Sequence, residues 1–290
     1  MTSIYKFYLQ DIPDTYSIWS WIKKHTDVVE KFNQLTCSVD TSKLLRLKHS
    51  IDINEVQEAC KDAIEKFGFN NWQNNTGGGN AYGGLSLVYN PDYVDKTIDI
   101  NAHTLGTKQN SPTQFFYGRT ENFNSIRDTY FDSYSFRFYS PCVTESKLNN
   151  VLKNFKRSPI RSRLATIQSE FVPDTYRAKF GWHKDEPVFE NLRINIPITT
   201  DDTYLFQLDK GSPVHLDIGD MYSWDTHLPH RVFPTTSEQK TRTHLVLGFS
   251  PWFDYNAEDD SFTSNEFYGK MHPIDMLISG HVHNKINGIL

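Results

Sequence analysis

The sequence contains little cysteine and no long apolar run. Cys37, Cys60 and Cys142 are the three cysteines among 290 residues, and their odd number and wide spacing match neither a disulfide framework nor a zinc site. Inert, reduced thiols of this kind are typical of a reducing compartment. No stretch approaches the ~18 apolar residues that span a bilayer, and the opening MTSIYKFYLQDIPD lacks the apolar stretch of a secretory signal. We therefore expect a cytoplasmic protein without a membrane anchor.

The sequence also lacks a basic excess. Its formal net charge is -5 at pH 7, whereas surfaces that bind nucleic acid or anionic membrane need surplus positive charge. The basic run KRSPIRSR contains Lys156, Arg157, Arg161 and Arg163, but a run this short is typical of a solvated surface. The composition thus argues against nucleic acid as a partner.

The chain shows no internal repeat and no low-complexity tract, so residues 1–290 are predicted to form one domain. Residues 1–75 are predicted to be mainly helical, because YSIWSWIKKHTDVVEKF and DINEVQEACKDAIEKFGF space apolar residues at three and four. Residues 76–162 are predicted to be a mixed α/β support of the core. The glycine-rich stretch 74–84 is predicted to be a loop, either an ordinary surface loop or a lid that closes over a site.

From residue 163 onward the pattern changes to short strands separated by turns, such as RLATIQSEF, NLRINIPIT, TYLFQLD and TRTHLVLGFSP. Many short strands of this kind favour an all-β sandwich or barrel over an alternating α/β sheet. We expect a mainly β fold, with a β-barrel or jelly-roll core at residues 163–255 and a C-terminal extension at 256–290. The extension carries His281 and His283 in GHVHNKI without a third ligand downstream, and we interpret it as a mobile tail.

Two metal-competent side chains stand two residues apart in FGWHKDE. His183 and Asp185 would share one face of a strand, about 6–7 Å apart, and Gly181 would ease a bend that brings them together. A third ligand is expected from a neighbouring strand, and WDTHLPHRV offers His227 or His230. We favour His230 because it begins the strand RVF, and keep His227 as the alternative. Two histidines and one carboxylate form a facial triad that suits Fe(II).

Two strands then carry polar residues opposite an apolar face. TRTHLVLGFSP sets Arg242 and His244 against Leu245 and Leu247, and NLRINIPI sets Arg193 and Asn195 against four aliphatic residues. A guanidinium inside a barrel costs several kcal/mol unless it meets an anion, and its fork fits a carboxylate. Either Arg242 points to solvent, or the two strands offer these polar groups to the same cavity, where the arginine would need an anion; we expect the second.

These motifs together resemble the 2-oxoglutarate/Fe(II)-dependent oxygenases, within which the closest likeness is to the aspartyl/asparaginyl β-hydroxylase-like group that includes a free-proline cis-4-hydroxylase. The likeness rests on HKD, on IGD before WDTHLPH, and on LRINIPI and TRTHLVLGF, and covers about residues 163–253. Asp185 is present here but absent from the animal aspartyl β-hydroxylases, which brings the chain closer to the bacterial proline-hydroxylase branch.

The resemblance implies a double-stranded β-helix, a jelly-roll or cupin-like core with flanking α-helices. It implies that His183, Asp185 and His230 bind Fe(II) and that Arg242 binds the distal carboxylate of 2-oxoglutarate. Arg193 would be a second anion contact near the cosubstrate or the substrate. Asn195 and His244 complete the candidate cosubstrate contacts.

The implied reaction hydroxylates an amino acid or an amino-acid residue of a peptide or protein, of aspartyl/asparaginyl or prolyl type. It consumes O2 and converts 2-oxoglutarate to succinate and CO2. One alternative is a nucleic-acid demethylase of the same superfamily, but such proteins usually carry a second arginine soon after the Arg242-like position, and THLVLGFSPW contains none. Another is a non-catalytic cupin-like binding protein, which the full set of ligand-type residues disfavours.

Overall fold

A computed structural model of the protein describes residues 5–13, 16–71, 81–90, 133–172, 174 and 181–290. The strands in these residues are β1 Lys6–Tyr8, β2 Leu45–His49, β3 Asn70–Asn71, β4 Tyr82–Ser86, β5 Val88–Tyr89, β6 Phe138–Tyr139, β7 Arg163–Gln168, β8 Leu192–Thr199, β9 Tyr204–Leu208, β10 Met221–Ser223, β11 His230–Pro234, β12 Thr241–Phe249, β13 Phe253–Asn256, β14 Ser261–Ser264 and β15 Ile286–Ile289. The α-helices are α1 Ile18–His25, α2 Val28–Asn33, α3 Ile53–Phe67, α4 Pro141–Thr144, α5 Leu148–Leu152 and α6 Pro273–Ile278. Within the described ranges, none of these helices has the length and apolar character needed to cross a membrane.

Eight strands form a main sheet in the order β15-β2-β10-β8-β12-β7-β4-β3, with antiparallel pairing throughout. A smaller layer consists of β9 paired with β11, and isolated bridges extend it on both sides. His183 lies opposite His230 in β11, and Val214 lies opposite Phe206 in β9. Phe206 and Tyr222, from the two layers, belong to one buried apolar cluster. The layers therefore pack face to face.

From β7 to β12 the chain alternates between the two layers. Strands β7, β8, β10 and β12 lie in the main sheet. Between them the chain passes through the small layer three times, first at His183, then at β9 and Val214, and last at β11. This winding is that of a double-stranded β-helix. The prediction of a mainly β, jelly-roll fold with flanking α-helices is confirmed.

The alternation along β8 and β12 decides which side chains face the interior. Leu245 pairs with Ile196 and Leu247 with Ile194, and all four join the large core cluster that also contains residues of α1 and α3. The aliphatic face of the main sheet is thus covered by helices. Because successive side chains of a strand point to opposite faces, the polar residues of the same strands face the space between the two layers.

Helix α3 shows how the local sequence supports this covering layer. The Asp52 side chain accepts hydrogen bonds from the backbone N–H groups of Asn54 and Glu55, at 2.9 and 3.4 Å. Gly68 follows the last turn with φ +69°, a backbone conformation that glycine adopts without steric cost. The residues of the helix that are buried against the core are Val56, Ala59, Cys60 and Ala63. The predicted helix therefore begins and ends where its capping residues indicate.

The interpretation of the C-terminal residues as a mobile tail is wrong. Strand β15 pairs with β2 and completes one end of the main sheet, while β13 and β14 form a three-stranded sheet with β1. The ring of His283 is buried and contacts the Phe155 ring, with centroids 4.7 Å apart, and its Nδ1 accepts a hydrogen bond from the backbone of Lys285 at 3.1 Å. The segment is therefore held by backbone pairing and by packing.

The possible lid at 74–84 lies only in part within the described residues. Residues 74–80 fall outside them. The prediction of a loop is wrong at residues 82–84, because they begin strand β4 and pair with β7 in the main sheet. The first half of the predicted strand YRAKFGWHKD, at residues 176–180, likewise falls outside the described residues.

Gly248 in β12 offers a test of how closely the chain packs behind the sheet. An added Cβ would lie 2.4 Å from the backbone oxygen of Ile160 and 2.5 Å from Oδ1 of Asn191. We expect Gly248→Ala to lower the free energy of unfolding by about 1–3 kcal/mol, as overpacking does in other cores, when urea unfolding is followed by circular dichroism. Thr241→Ala, at the exposed start of the same strand, should change it by less than about 0.5 kcal/mol. Equal stabilities for the two variants would contradict the packing argument.

Candidate metal centre

The structure brings His183, Asp185 and His230 together, with one ligand atom of each within 4.8 Å of the others. The backbone explains the meeting: the amides of His183 and His230 each donate to the other residue's carbonyl at 3.0 Å. The Asp185 amide donates to the Thr226 carbonyl at 2.9 Å, so residues 183–185 run antiparallel beside residues 226–230. His227 is exposed and lies outside this cluster, which leaves His230 as the distal ligand candidate that the fold supplies.

Both imidazoles present the same nitrogen to the centre. Nδ1 of His183 lies 2.7 Å from the Gly181 carbonyl, and Nδ1 of His230 lies 2.9 Å from the Leu228 carbonyl. A carbonyl oxygen can only accept, so each Nδ1 carries a proton, and in the neutral ring each Nε2 keeps its lone pair. Ligating histidines are oriented in this way, by a backbone acceptor on the nitrogen that does not bind metal. Nε2 of His230 also lies 3.6 Å from Oδ2 of Asp185.

A second cluster with metal-ligand residue types, Cys37, His272 and Asp275, has the opposite chemistry. Nδ1 of His272 accepts a hydrogen bond from the Ile274 amide at 3.2 Å, so the neutral ring carries its proton on Nε2. Asp275 accepts hydrogen bonds from both the backbone and the hydroxyl of Ser38, at 3.1 and 2.5 Å. Burial raises the pKa of the Cys37 thiol to about 11, which keeps it protonated at neutral pH. This cluster caps α6 and anchors the 37–38 segment.

Four charged side chains extend from the candidate metal centre into the protein, and of these Asp185 is partly exposed while the other three are buried. The Arg193 guanidinium donates through Nη1 to Oδ2 of Asp185 and through Nη2 to Oε2 of Glu186. On the other side, Nη1 of Arg161 donates to Oε1 of Glu186. Burial alone would raise the pKa of both carboxyl groups, but the neighbouring guanidinium groups hold the pKa of Asp185 well below its usual range and that of Glu186 below it. Both are therefore carboxylates at neutral pH.

Sequence reasoning predicts an anion for Arg193, and in the structure two carboxylates of the protein supply it. Sequence reasoning misses Glu186 altogether, although the adjacent acidic pair in HKDE is the signal that could have pointed to it.

The prediction of a solvated surface for the run KRSPIRSR is wrong at two positions. Arg161 is 7% exposed and pairs with Glu186, and Arg157 lies 3.1 Å from the Asp254 carboxylate. Charges that are buried in pairs escape a prediction that sees only local composition.

Arg242 and His244 lie side by side on the interior face of β12. Nη2 of Arg242 donates to Nδ1 of His244 at 2.7 Å, and no carboxylate among the described residues pairs with this guanidinium. Burial lowers the pKa of Arg242 to about 9, so the side chain remains a cation at neutral pH. Burial and the Arg242 charge hold the pKa of His244 well below its usual range, so the imidazole is neutral. A buried cation without an anion is the property expected of an anion-binding site.

Further hydrogen-bond donors in the interior lack partners. Nε2 of His244 must carry the ring proton, because Nδ1 accepts from Arg242, and this buried atom has no partner in the described part of the chain. The same holds for Nδ2 of Asn195 in β8 and for Nε1 of Trp224, whose ring lies 5.4 Å from that of His230. Unpaired buried donors are rare in folded proteins. They indicate a polar occupant, and Trp224 is a donor that sequence reasoning did not identify.

No protein-family model matches the chain, and no curated protein does. Solved structures that match include EvdMO1, 14% identical, with 70% of this chain and 45% of that chain covered and a TM-score of 0.31. SnoK, a non-heme alpha ketoglutarate dependent carbocyclase from nogalamycin biosynthesis, is 8% identical, with coverage of 85% and 87% and a TM-score of 0.33. An oxygenase candidate from Shewanella oneidensis is 15% identical, with coverage of 78% and 87% and a TM-score of 0.34. This chain spans less than half of EvdMO1, and likenesses at these scores carry no argument about the site.

If the three residues hold a metal, then His183→Ala, Asp185→Ala and His230→Ala should each weaken divalent metal binding by at least about tenfold, the usual scale for losing a ligand or its support. Isothermal titration of Co(II) into the metal-free proteins measures the affinity. The fold should persist, because a metal bound to a preformed scaffold is not the core. His227→Ala and His272→Ala serve as controls and should bind like the wild type. Weak binding by His227→Ala together with normal binding by His230→Ala would transfer the ligand role to His227.

Proposed function

We propose that the protein is an Fe(II)- and 2-oxoglutarate-dependent dioxygenase that hydroxylates an amino acid or an amino-acid residue in a peptide or protein. The observation that carries the proposal is the combination, in one jelly-roll interior, of a two-histidine, one-carboxylate cluster and a buried guanidinium without a carboxylate partner among the described residues. A dicarboxylate cosubstrate satisfies both, because one end suits a metal and the other suits Arg242.

The residues of the cluster fit Fe(II). Two imidazoles whose Nδ1 atoms donate to backbone carbonyls and one ionised carboxylate would supply three protein ligands, a number that would leave room for other ligands. Iron bound there would supply the activation of O2 that couples decarboxylation of 2-oxoglutarate, to succinate and CO2, to oxidation of a substrate C–H bond.

The protein's own contribution is orientation of the cosubstrate. His244 accepts from Arg242 and so fixes one arm of the guanidinium fork, while the remaining donors of that fork can bind the distal carboxylate of 2-oxoglutarate. Nε2 of His244 and Nδ2 of Asn195 provide further donors for a polar ligand in the same interior. Arg193 already pairs with Asp185 and Glu186, so the proposal does not assign it to the cosubstrate.

The interior between the layers also limits access of water. Phe206, Leu208, Leu216, Tyr222 and Trp224 form a buried apolar cluster between the small layer and the main sheet. Phe206 and Trp224 lie beside the His230 ring, at centroid distances of 6.2 and 5.4 Å, so this apolar wall lowers the polarity on the interior side of the centre and strengthens charge pairs formed there. The proposed role of these side chains is therefore to shield the interior side of the centre.

The proposed substrate class is supported by the accessibility of the centre and by the resemblance of the motifs. His183 is exposed, as are its neighbours Trp182 and Lys184, so the centre is open to solvent on the side of the small layer. An open approach accommodates a peptide segment as well as a free amino acid. The aspartyl/asparaginyl or prolyl type is proposed from the likeness of HKD, LRINIPI and TRTHLVLGF to that group of oxygenases.

The activity itself is tested by release of succinate. The protein with Fe(II), 2-oxoglutarate and O2 should form succinate slowly alone, and faster with a set of amino acids and of aspartyl-, asparaginyl- and prolyl-containing peptides. Asp185→Ala provides the inactive control, because it lacks a proposed ligand. Metal and 2-oxoglutarate binding without any succinate release would instead favour a non-catalytic cupin-like binding protein.

The assignment of Arg242 predicts a graded loss of cosubstrate binding. Arg242→Leu should keep the metal but weaken 2-oxoglutarate binding by roughly 2–5 kcal/mol, the usual cost of removing one partner of a buried hydrogen-bonded charge pair. Arg242→Lys should fall between the leucine variant and the wild type, since it keeps the charge but loses the two-pronged geometry. Calorimetric titration of 2-oxoglutarate into the anaerobic Fe(II) protein measures each affinity.

Lys240→Leu is the matched control for charge, because this partly exposed cation precedes the same strand and pairs with Asp201. It should leave 2-oxoglutarate binding unchanged. Wild-type affinity in Arg242→Leu would show that this part of β12 is not the cosubstrate site.

A further inference from the structure

The Arg193 guanidinium occupies the carboxylate that the proposed metal centre needs. Its Nη1 donates to Oδ2 of Asp185, the same oxygen that lies 3.6 Å from Nε2 of His230. This oxygen faces the imidazole nitrogen that is oriented for a metal ion. A divalent cation and Arg193 therefore act on the same atom of Asp185, and loading of the metal must weaken the Arg193 interaction with Asp185.

Loosening that interaction would be costly if Arg193 had no second anion. The guanidinium is 4% exposed, and a buried charge that loses its partner costs on the order of 3–5 kcal/mol. Glu186 removes this cost, because its Oε2 already accepts from Nη2 of Arg193. Metal binding to Asp185 then leaves Arg193 paired.

Arg161 keeps Glu186 available for this role. Its Nη1 donates to the other oxygen of the Glu186 carboxylate, so the two described guanidinium groups and two carboxylates balance in charge. The Arg161 backbone adopts φ +40°, which L residues other than asparagine and aspartate rarely do. Such backbone conformations persist only where surrounding contacts hold them, and here they present the side chain to Glu186.

We propose that Glu186 is a positioning residue for metal loading: it retains Arg193 while Asp185 binds the divalent cation. The inference rests on the proposed function only in taking Asp185 as a metal ligand. Glu186 then raises the metal affinity indirectly, by binding Arg193. Arg193 in turn competes with the metal for Asp185.

The test is a double-mutant cycle on metal affinity. Glu186→Gln keeps the side-chain shape but removes the charge of one carboxylate that accepts from Arg193. Asp185 should then be held more strongly by the guanidinium, so Mn(II) binding should weaken at least about tenfold, equivalent to ~1.4 kcal/mol. Arg193→Leu removes the competitor and should bind Mn(II) no more weakly than the wild type. The double variant, Glu186→Gln with Arg193→Leu, should match Arg193→Leu. Free Mn(II) is measured by electron paramagnetic resonance during titration of the metal-free proteins.

A purely structural role for Glu186 would give a different pattern. Thermal unfolding of each metal-free variant reports stability separately. Asp254→Asn is the control for loss of a carboxylate paired with an arginine, since Asp254, in strand β13, pairs with Arg157 away from the candidate metal centre. That control should bind Mn(II) like the wild type. If Glu186→Gln folds poorly, the Mn(II) affinities of the double variant and of Arg193→Leu still test the proposal. Without Arg193, the change at Glu186 should have no effect on Mn(II) affinity.

Two results would overturn the inference while leaving the metal centre intact: wild-type affinity in Glu186→Gln, or a double variant that binds as weakly as Glu186→Gln. Failure of the wild-type protein to bind Mn(II) is a distinct result, which overturns the proposed metal centre and with it the role of Glu186.

Discussion

The pairing of His183 with His230 is the constraint on which the candidate site depends. Two reciprocal backbone hydrogen bonds join residues that are far apart in sequence and set their rings 4.4 Å apart, centroid to centroid. The same pairing brings the chain back toward the main sheet, so that Asp185 meets Arg193 on β8. A shift of one residue in this register would turn one of the two imidazoles to the opposite face of the layer and so separate the pair. The register therefore decides whether a centre exists at all.

The two clusters of metal-type residues show why proximity alone is a weak criterion. Residue types and distances are similar around His230 and around His272, yet the hydrogen bond on Nδ1 runs in opposite directions. A neutral ring that donates from Nδ1 has an unprotonated Nε2 that can bind a metal. A neutral ring that accepts at Nδ1 carries its proton on Nε2, so that nitrogen cannot bind a metal. The backbone partner of a histidine thus distinguishes a ligand from a helix cap.

Sequence patterns predict those parts of the site that depend on a single strand. The period of two in β8 and β12 places Arg193 and Arg242 inside, and the start of a strand at His230 selects it over His227. The partner of each arginine does not follow from these patterns, because it depends on which strands become neighbours. For this reason the sequence pattern does not identify Glu186 as a partner of Arg193. It does not identify strand β15 either, because INGI shows no periodicity that distinguishes it from a tail.

The place of β2 in the main sheet has a consequence for synthesis of the chain. Its two neighbours are β10 and β15, so Leu47 pairs both with Met221 and with Ile289. At typical elongation rates of 5–20 residues per second, both edges of β2 stay unpaired for roughly ten seconds or more after the ribosome has made them. Exposed strand edges attract other chains. A nascent chain therefore exposes both edges of β2 until most of its length has been synthesised, and this strand is where pairing with a second chain would compete with folding.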